Sequence, residues 1–321
     1  MRKTLLDMYH DLRESGSTSD FPNLLGTSMY KVLLDKFKGV SSPWPQYCMV
    51  SALSDFKAHD RIIVSEAPDL LEIEELGPYT DSKLAEYKYQ LQAKTVGRMF
   101  SISRQTVIND DLGAMKRQPE RFGRASARTL CKGIVNAIEG DHKTYDGASL
   151  FAVAHANYGN TALANTAAGA EAVANGILSV EKATDPDTGE IMGLRAKYLV
   201  VPVALKIIGG QLLMSATIQP VSTSGGGTIN ALAQLELLVE PFLTSSTGWY
   251  VMASPEDCPV IDVGFLNGKE TPDLLVKRAD TINLAGGEDP YGYEFDDIWY
   301  KVRHDFGIAL AYFQGIYRGK A

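Results

Sequence analysis

The stretch GRMFSISRQTVINDDLGAMKRQPERFGRASARTLCKGIVNAIEG, residues 97–140, decides how this chain folds. It starts as a polar, alternating arm ending in Phe100-Ser101-Ile102-Ser103, breaks at Asn109-Asp110-Asp111 and continues as a long amphipathic helix. Pro119 marks the expected helix start, because a proline in the first turn loses no hydrogen bond by lacking an N–H. From there Phe122, Ala125 and Ser126, Thr129 and Leu130, Gly133 and Ile134, and Ala137 and Ile138 recur at three- and four-residue spacing, giving one narrow apolar stripe. Arg121, Arg124, Arg128 and Lys132 fall on the other face, and Gly140 ends the run. About twenty residues rising 1.5 Å each make a rod of roughly 30 Å, the width of a small domain. Such a spine carries a layer of sheet against its stripe.

The whole chain has 321 residues, 45% of them hydrophobic, which is enough for two domains with substantial cores. Its net charge of −8 argues against a protein whose main task is gripping nucleic acid, because phosphate binding needs clustered Lys and Arg. A small basic patch is compatible with that balance. Cys48, Cys131 and Cys258 are odd in number and far apart, so neither a disulfide framework nor a thiolate metal site is signalled, and a reducing compartment fits. No apolar run approaches the roughly 20 residues needed to span a bilayer. The N-terminus, with Asp7, His10, Asp11 and Glu14, lacks a signal peptide's apolar core, so the expectation is cytosolic origin without a membrane.

Upstream of the spine, Leu5, Met8 and Leu12 mark a short amphipathic helix, residues 16–19 a break, and residues 24–37 a second helical piece before Ser41-Ser42-Pro43-Trp44-Pro45. These small helices read either as an arm that lies on something else or as a local cap. From Asp60 to Ser103 the alternation of Tyr87, Tyr89, Leu91 and Ala93 with Lys88, Gln90, Gln92 and Lys94 reads as a two-armed β-excursion with turns near Gly77 and Asp81. An isolated ribbon is marginal in water. This one therefore rests on another surface or forms an ordinary sheet edge. Downstream, residues 162–184 read as an alanine-rich helix with Val173, Ile177 and Val180 on one side. Tyr198 to Val201 reads as a buried strand, and Pro202 opens a helix through Ile207, Ile208, Leu212 and Leu213. Residues 222–227 read as a flexible loop. Leu235 to Val239 and Trp249 to Ala253 read as adjacent strands, and Ile298 to Tyr317 as aromatic-rich strands alternating around Gly307 and Gly315.

Candidate chemistry is sparse. Asp110 and Asp111 form a carboxylate pair of the kind that splits pKa values in a cleft, yet acids just ahead of a helix also suit its positive end. His155 in Ala-His-Ala-Asn could be paired with Ser149, but there is no nucleophile-elbow motif, and the five histidines show no metal-ligand spacing. A hydrogen-bonded structural histidine is the better reading. Gly225-Gly226-Gly227 is not followed by Gly-Lys-Ser/Thr and is no phosphate loop. No catalytic, cofactor-binding or metal residues are assigned, and the chain is not expected to be an enzyme. Glu72, Glu74 and Glu75 face Lys83, Lys88, Lys94 and Arg98 across the excursion. Such charges set strand register or dock an arm on a neighbour, and solvated strand faces carry the same letters.

The blocks Phe100-Ser101-Ile102-Ser103-Arg104-Gln105-Thr106, Ile108-Asn109-Asp110-Asp111-Leu112-Gly113, Asp146-Gly147 with Leu150-Phe151, and His155-Ala156-Asn157 resemble the Mu-like phage major head subunit family. Tyr198-Leu199-Val200-Val201-Pro202, Val239-Glu240-Pro241-Phe242-Leu243, Gly248-Trp249-Tyr250 and Arg303-His304-Asp305-Phe306-Gly307 are similar to it as well. The resemblance implies an α+β, HK97-type capsid fold. Its parts would be an N-terminal arm (1–60), an extended loop (61–103), a peripheral domain with the spine helix (104–160 and 265–321) and an axial domain (161–264). It implies a major capsid protein of a tailed double-stranded DNA phage, assembling as pentamers and hexamers of an icosahedral head. Portal and scaffolding or protease proteins would act during assembly, with a decoration protein as a further partner and only non-specific contact with packaged DNA. Glu72, Glu74, Glu75, Lys83, Lys88, Lys94 and Arg98 become inter-subunit contacts, and Asp110 and Asp111 a hinge. An encapsulin-like shell around protein cargo is the alternative, and a hydrolase built on Asp110, Asp111 and His155 the weakest reading. Nothing ahead of the arm looks like a coiled-coil scaffold. Lys83 and Lys94 suit a Lys–Asn cross-link only by location, so cross-linking is not expected.

Overall fold

A computed structural model describes residues 20–73, 75, 77, 79, 81, 84–105, 109, 112–140, 142–215, 217–218, 228–277, 281–282, 288–289 and 292–320. The helix expected around Leu5, Met8 and Leu12, the break at residues 16–19, Asp110 and Asp111, and the glycine loop at residues 222–227 lie outside them. In chain order the elements begin with helix α1 (Asp20–Lys38), the one-turn α2 (Trp44–Tyr47), β1 (Met49–Leu53), β2 (His59–Val64), β3 (Glu86–Leu91) and β4 (Lys94–Ser103). The spine α3 (Leu112–Glu139), β5 (Tyr158–Gly159), α4 (Ala167–Glu181), β6 (Ala196–Val201) and α5 (Lys206–Met214) follow. After the short pair β7 (Thr217–Ile218) and β8 (Thr228–Ile229) come β9 (Glu236–Val239), β10 (Trp249–Ala253), β11 (Ile261–Leu266) and β12 (Asp273–Val276). The pair β13 (Thr281–Ile282) and β14 (Glu288–Asp289), then β15 (Asp297–Leu310) and β16 (Ile316–Gly319), complete the chain.

Three elements differ from what the sequence implies. The spine starts at Leu112, with Pro119 inside it. Leu, Ala, Met, Lys, Arg and Gln ahead of the proline are all good helix formers, and the turns on either side carry the helix past the one hydrogen bond Pro119 cannot make. The spine's apolar stripe is also wider than its spacing indicates. Ala127, Cys131 and Val135 are buried with Leu130, Ile134 and Ile138, while Thr129 is exposed and donates to the Ala125 carbonyl at 2.8 Å. Strands β9 and β10 are not neighbours. The wholly apolar β6 lies between them, parallel to β9 and antiparallel to β10. A strand apolar on both faces takes the middle of a sheet, and α5 with the turn before it supplies the crossover that a parallel pair requires.

The chain divides into two compact units, the first formed by Met1–Ser41, Lys94–Thr129 and Lys269–Asp305. There β12 pairs antiparallel with β15 from Asp273↔Arg303 to Val276↔Tyr300. Met29 and Leu33, one turn apart on α1, close over Phe100, Ile102, Ile298, Tyr300 and Val302. Phe100 stacks between Phe122 and Tyr300, with ring centroids 4.7 and 5.2 Å away. Gly123 is needed where the two helices meet, because a Cβ there would come within 2.4 Å of the Leu33 carbonyl oxygen.

The second unit comprises Ser42–Ala93, Leu130–Gly268 and Phe306–Ala321. One of its sheets sets β1 parallel to β11, and β11 antiparallel to β15 from Ile261↔Leu310 to Phe265↔Phe306. The spine packs here as expected, with Gly133 placed so that a Cβ would meet Ile308 Cδ1 at 2.8 Å. The other sheet runs β5-β16-β10-β6-β9. Val173, Ile177 and Val180 of α4 cover it, packing with Leu199, Val201, Trp249 and Val251. Each such side chain contributes about 1.5–3 kcal/mol on burial. Thus β16 joins β10, while only β15 runs beside the spine.

Candidate assembly interface

Strands β2 and β3 pair from His59↔Leu91 to Val64↔Glu86. Their inward residues explain why this ribbon persists. Leu91 is fully buried and packs with Leu53, Ala93 and Ala309. Tyr89 donates to Asp262 Oδ2 at 3.0 Å, and Ser51 donates to Asp262 Oδ1 at 2.6 Å. Burial and then the adjacent Asp262 carboxylate push the Tyr89 phenol well above its ordinary pKa, so it stays protonated and donates. Tyr87 extends a ladder of rings through Tyr145 (5.1 Å) and Phe313 (5.6 Å) to His155 (3.7 Å).

Beyond the paired strands, the Ser65 N–H donates to the Ala85 carbonyl and the Ala85 N–H to Ser65 Oγ, closing the neck of a loop. The Glu66 N–H donates to Asp185 Oδ2 at 3.0 Å, and Asp187 and Thr188 N–H groups reach Asp185 Oδ1. Burial opposes ionisation of Asp185, but these backbone donors outweigh it and hold the carboxyl below its usual range. Past this neck the side chains leave the core. Leu70 is 100%, Tyr79 87% and Leu71 68% exposed. Large apolar groups held out on an anchored stalk are the signature of a contact surface.

The charges proposed from sequence are spread over this region. Glu72 and Glu75 are exposed on the loop, and Glu74 and Lys83 lie outside the described residues. Lys88, on β3, meets Asp60 of β2 at 3.4 Å instead of a loop glutamate. Lys94 and Arg98 are exposed on β4.

His155 has both ring nitrogens engaged, Nε2 with Asp146 Oδ2 at 2.7 Å and Nδ1 with the Leu150 carbonyl at 3.1 Å. Neither nitrogen is left to activate Ser149. Glu240, 1% exposed, accepts from Ser42 Oγ (2.6 Å), Tyr47 OH (3.2 Å) and the Phe242 N–H (3.3 Å). Burial raises its pKa despite those donors. The nearby Cys131 thiol is pushed up to about 11, also by burial, and a protonated buried thiol is a poor nucleophile. Among the described residues no group of three or more His, Cys, Asp or Glu side chains is arranged to hold a metal ion. No helix among them is long and apolar enough to cross a membrane.

No curated protein matches the sequence. A family model described as Phage capsid protein matches residues 86–319, well over half of the chain. The chain belongs to that family. Among solved structures, the capsid of the Cyanophage P-SCSP1u is similar over 88% of each chain, with a TM-score of 0.58 at 10% identity. A structure from Microbacterium phage Oxtober96 is similar over 88% of this chain and 91% of that one, with a TM-score of 0.56 at 12% identity. The virus-like particle from Pyrococcus furiosus is similar over 90% of this chain and 96% of that one, with a TM-score of 0.50 at 11% identity.

The α+β fold of this family member is thus the HK97-like capsid fold that its sequence implies. The chain is a phage major capsid protein, a structural subunit that assembles with its own kind into the virion shell. For such a subunit the exposed loop matters more than any cleft. Sequence reading located that loop but missed the groups that fix it: Asp262, Asp185 and the ring ladder. Their signals were an acid in an otherwise apolar strand, the Asp-Pro-Asp-Thr-Gly turn, and tyrosines at alternate positions.

Proposed function

We propose that this capsid protein, a member of the Mu-like branch, forms the pentamers and hexamers of an icosahedral head enclosing the double-stranded DNA of a tailed phage. Residues 1–60 act as an arm, 61–103 as the extended loop, 104–160 with 265–321 as the peripheral domain, and 161–264 as the axial domain. Glu72, Glu74, Glu75, Lys83, Lys88, Lys94 and Arg98 contribute to contacts between copies, and Asp110 and Asp111 act as the hinge between arm and spine. Assembly takes place in the bacterial cytoplasm with portal and scaffolding or protease proteins, and a decoration protein joins the finished head. Packaged DNA touches the wall non-specifically, because an acidic subunit does not hold phosphate.

The observation that carries this reading is the loop at residues 65–85, anchored at its neck and apolar at its exposed surface. Replacing residues 67–84 with a short Gly-Ser linker leaves β3, with Leu91, in place. The expected product is a folded, soluble subunit that fails to close shells; normal shells by electron microscopy would remove the loop from assembly. A protein-cargo shell remains the second reading, supported by the likeness to the Pyrococcus furiosus particle. Particle contents separate the two: nuclease-protected DNA supports the phage head, and an enclosed protein supports the cargo shell.

A further inference from the structure

Two exposed segments of this chain carry opposite charge. Residues 66–86 hold seven carboxylates and one lysine, so the loop accounts for most of the chain's net charge of −8. Glu66, Asp69, Glu72, Glu75 and Asp81 are exposed there, and among the described residues none of these carboxylates is in an ion pair. On the spine α3, Arg117, Arg121, Arg124 and Arg128 are exposed, and none of them has an ion-pair partner among the described residues either. At 100° per residue these four arginines share an arc of about 60°, and their positions extend over about 16 Å of helix. Glu120, the acid between them, is half-buried.

We propose that the acidic loop of one copy lies along the arginine face of the spine helix of a second copy. This rests on the loop-docking reading above and names the surface that receives the loop. The match is one of sign, reach and chemistry. A loop of this length, extended and doubled back, projects up to about 30 Å, farther than the arginine face is long. Guanidinium groups bind carboxylates through two parallel hydrogen bonds, which gives register as well as attraction. Leu70, Leu71 and Tyr79 cover the aliphatic arginine stems as the charges pair. Each copy offers one loop and one arginine face, so the contact is head-to-tail and closes a ring when the rotation between copies permits. Duplex DNA is the competing occupant of four arginines. It would leave the loop carboxylates of every copy uncompensated in a crowded shell.

Charge reversal tests the inference. One variant carries Asp69→Lys, Glu72→Lys and Glu75→Lys, and another carries Arg121→Glu, Arg124→Glu and Arg128→Glu. All six side chains are exposed, and far-UV circular dichroism checks that each variant folds. Each alone is expected to lower shell yield at least tenfold by sedimentation and electron microscopy. The variant carrying all six changes is expected to recover most of the wild-type yield. A 1:1 mixture of the two single-face variants is expected to recover shells as well, which happens only if the contact joins different copies. If the sixfold variant is no better than the helix-reversed one, the proposal is overturned. Normal shells from the helix-reversed variant, empty of DNA, would overturn it in favour of a nucleic-acid surface. Shells from the loop-shortened variant would instead remove loop docking itself, whereas an essential loop without recovery in the swap would remove only the arginine face.

Discussion

His304 shows how a single buried residue sets a pH limit on the fold. Its Nε2 lies 3.0 Å from the Glu270 carbonyl, its Nδ1 lies 3.4 Å from Ser126 Oγ, and Phe37 meets the ring edge-on at 5.6 Å. That arrangement suits a neutral ring with Nε2 donating and Nδ1 accepting. Burial lowers its pKa to about 4, despite the Glu270 carbonyl, Asp305 and Asp273, which favour the cation. The unfolded chain binds the proton near pH 6.5 and the folded chain near 4, so stability from this site is complete above about 6.5 and drains away as pH falls toward 4. The loss reaches roughly 3 kcal/mol. Urea midpoints measured between pH 7 and 4 should fall along this curve, and His304→Asn, which keeps a polar group without the charge, should flatten it. An unchanged slope in the variant would assign the acid sensitivity elsewhere. Asp146 and Asp185, both held below the usual carboxyl range, add loss of the same sign only as pH drops beneath their ordinary value near 3.8.

At the scale of elements, close approach governs what each position tolerates. Gly307, midway in the second unit's part of β15, faces the backbone of Gln92, and a Cβ there would sit 2.3 Å from its carbonyl oxygen. Gly307→Ala should therefore cost about 1–3 kcal/mol, because two paired backbones must part. Gly210 in α5 meets only Leu237 Cδ2 at 3.9 Å, so Gly210→Ala should stabilise the subunit by roughly 0.5–1 kcal/mol through helix propensity. Opposite shifts in the urea midpoint check both, and equal shifts would contradict the packing argument. These positions also mark where sequence reading stops. The spine, α4, β6 and the aromatic β15 were legible because each carries its own periodicity of burial. The strand order was not, because the placing of β6 between β9 and β10 depends on pairing between segments distant in sequence. Pro119 misled because a boundary rule for the first turn has no knowledge of helix formers upstream. At the candidate interface the alternation of Tyr87 and Tyr89 with charged residues showed a ribbon. That Lys88 would choose Asp60 over a loop glutamate needed the register of β2 and β3.

The molecule as a whole is a tile, and its defects should multiply rather than add. In the proposed pentamers and hexamers every copy both extends a loop and receives one, so a ring closes only when each successive contact forms. Mixing wild-type subunits with copies whose residues 67–84 are replaced by a linker tests this directly. If rings require every loop, a mixture in which half the copies lack it should give complete rings in only about 2–3% of random draws, the fifth or sixth power of one half. Shell yield by sedimentation should then collapse well before the variant reaches equal proportion. A yield falling in simple proportion to the wild-type fraction would mean that the remaining interfaces carry closure and that the loop only adds strength. The steep outcome ties the anchoring of β2 and β3 to the shell. A neck fixed by Asp185 and a root fixed by Asp262 present the loop in one posture, so little freedom is lost when it docks, and that saving is repeated at every contact around the ring.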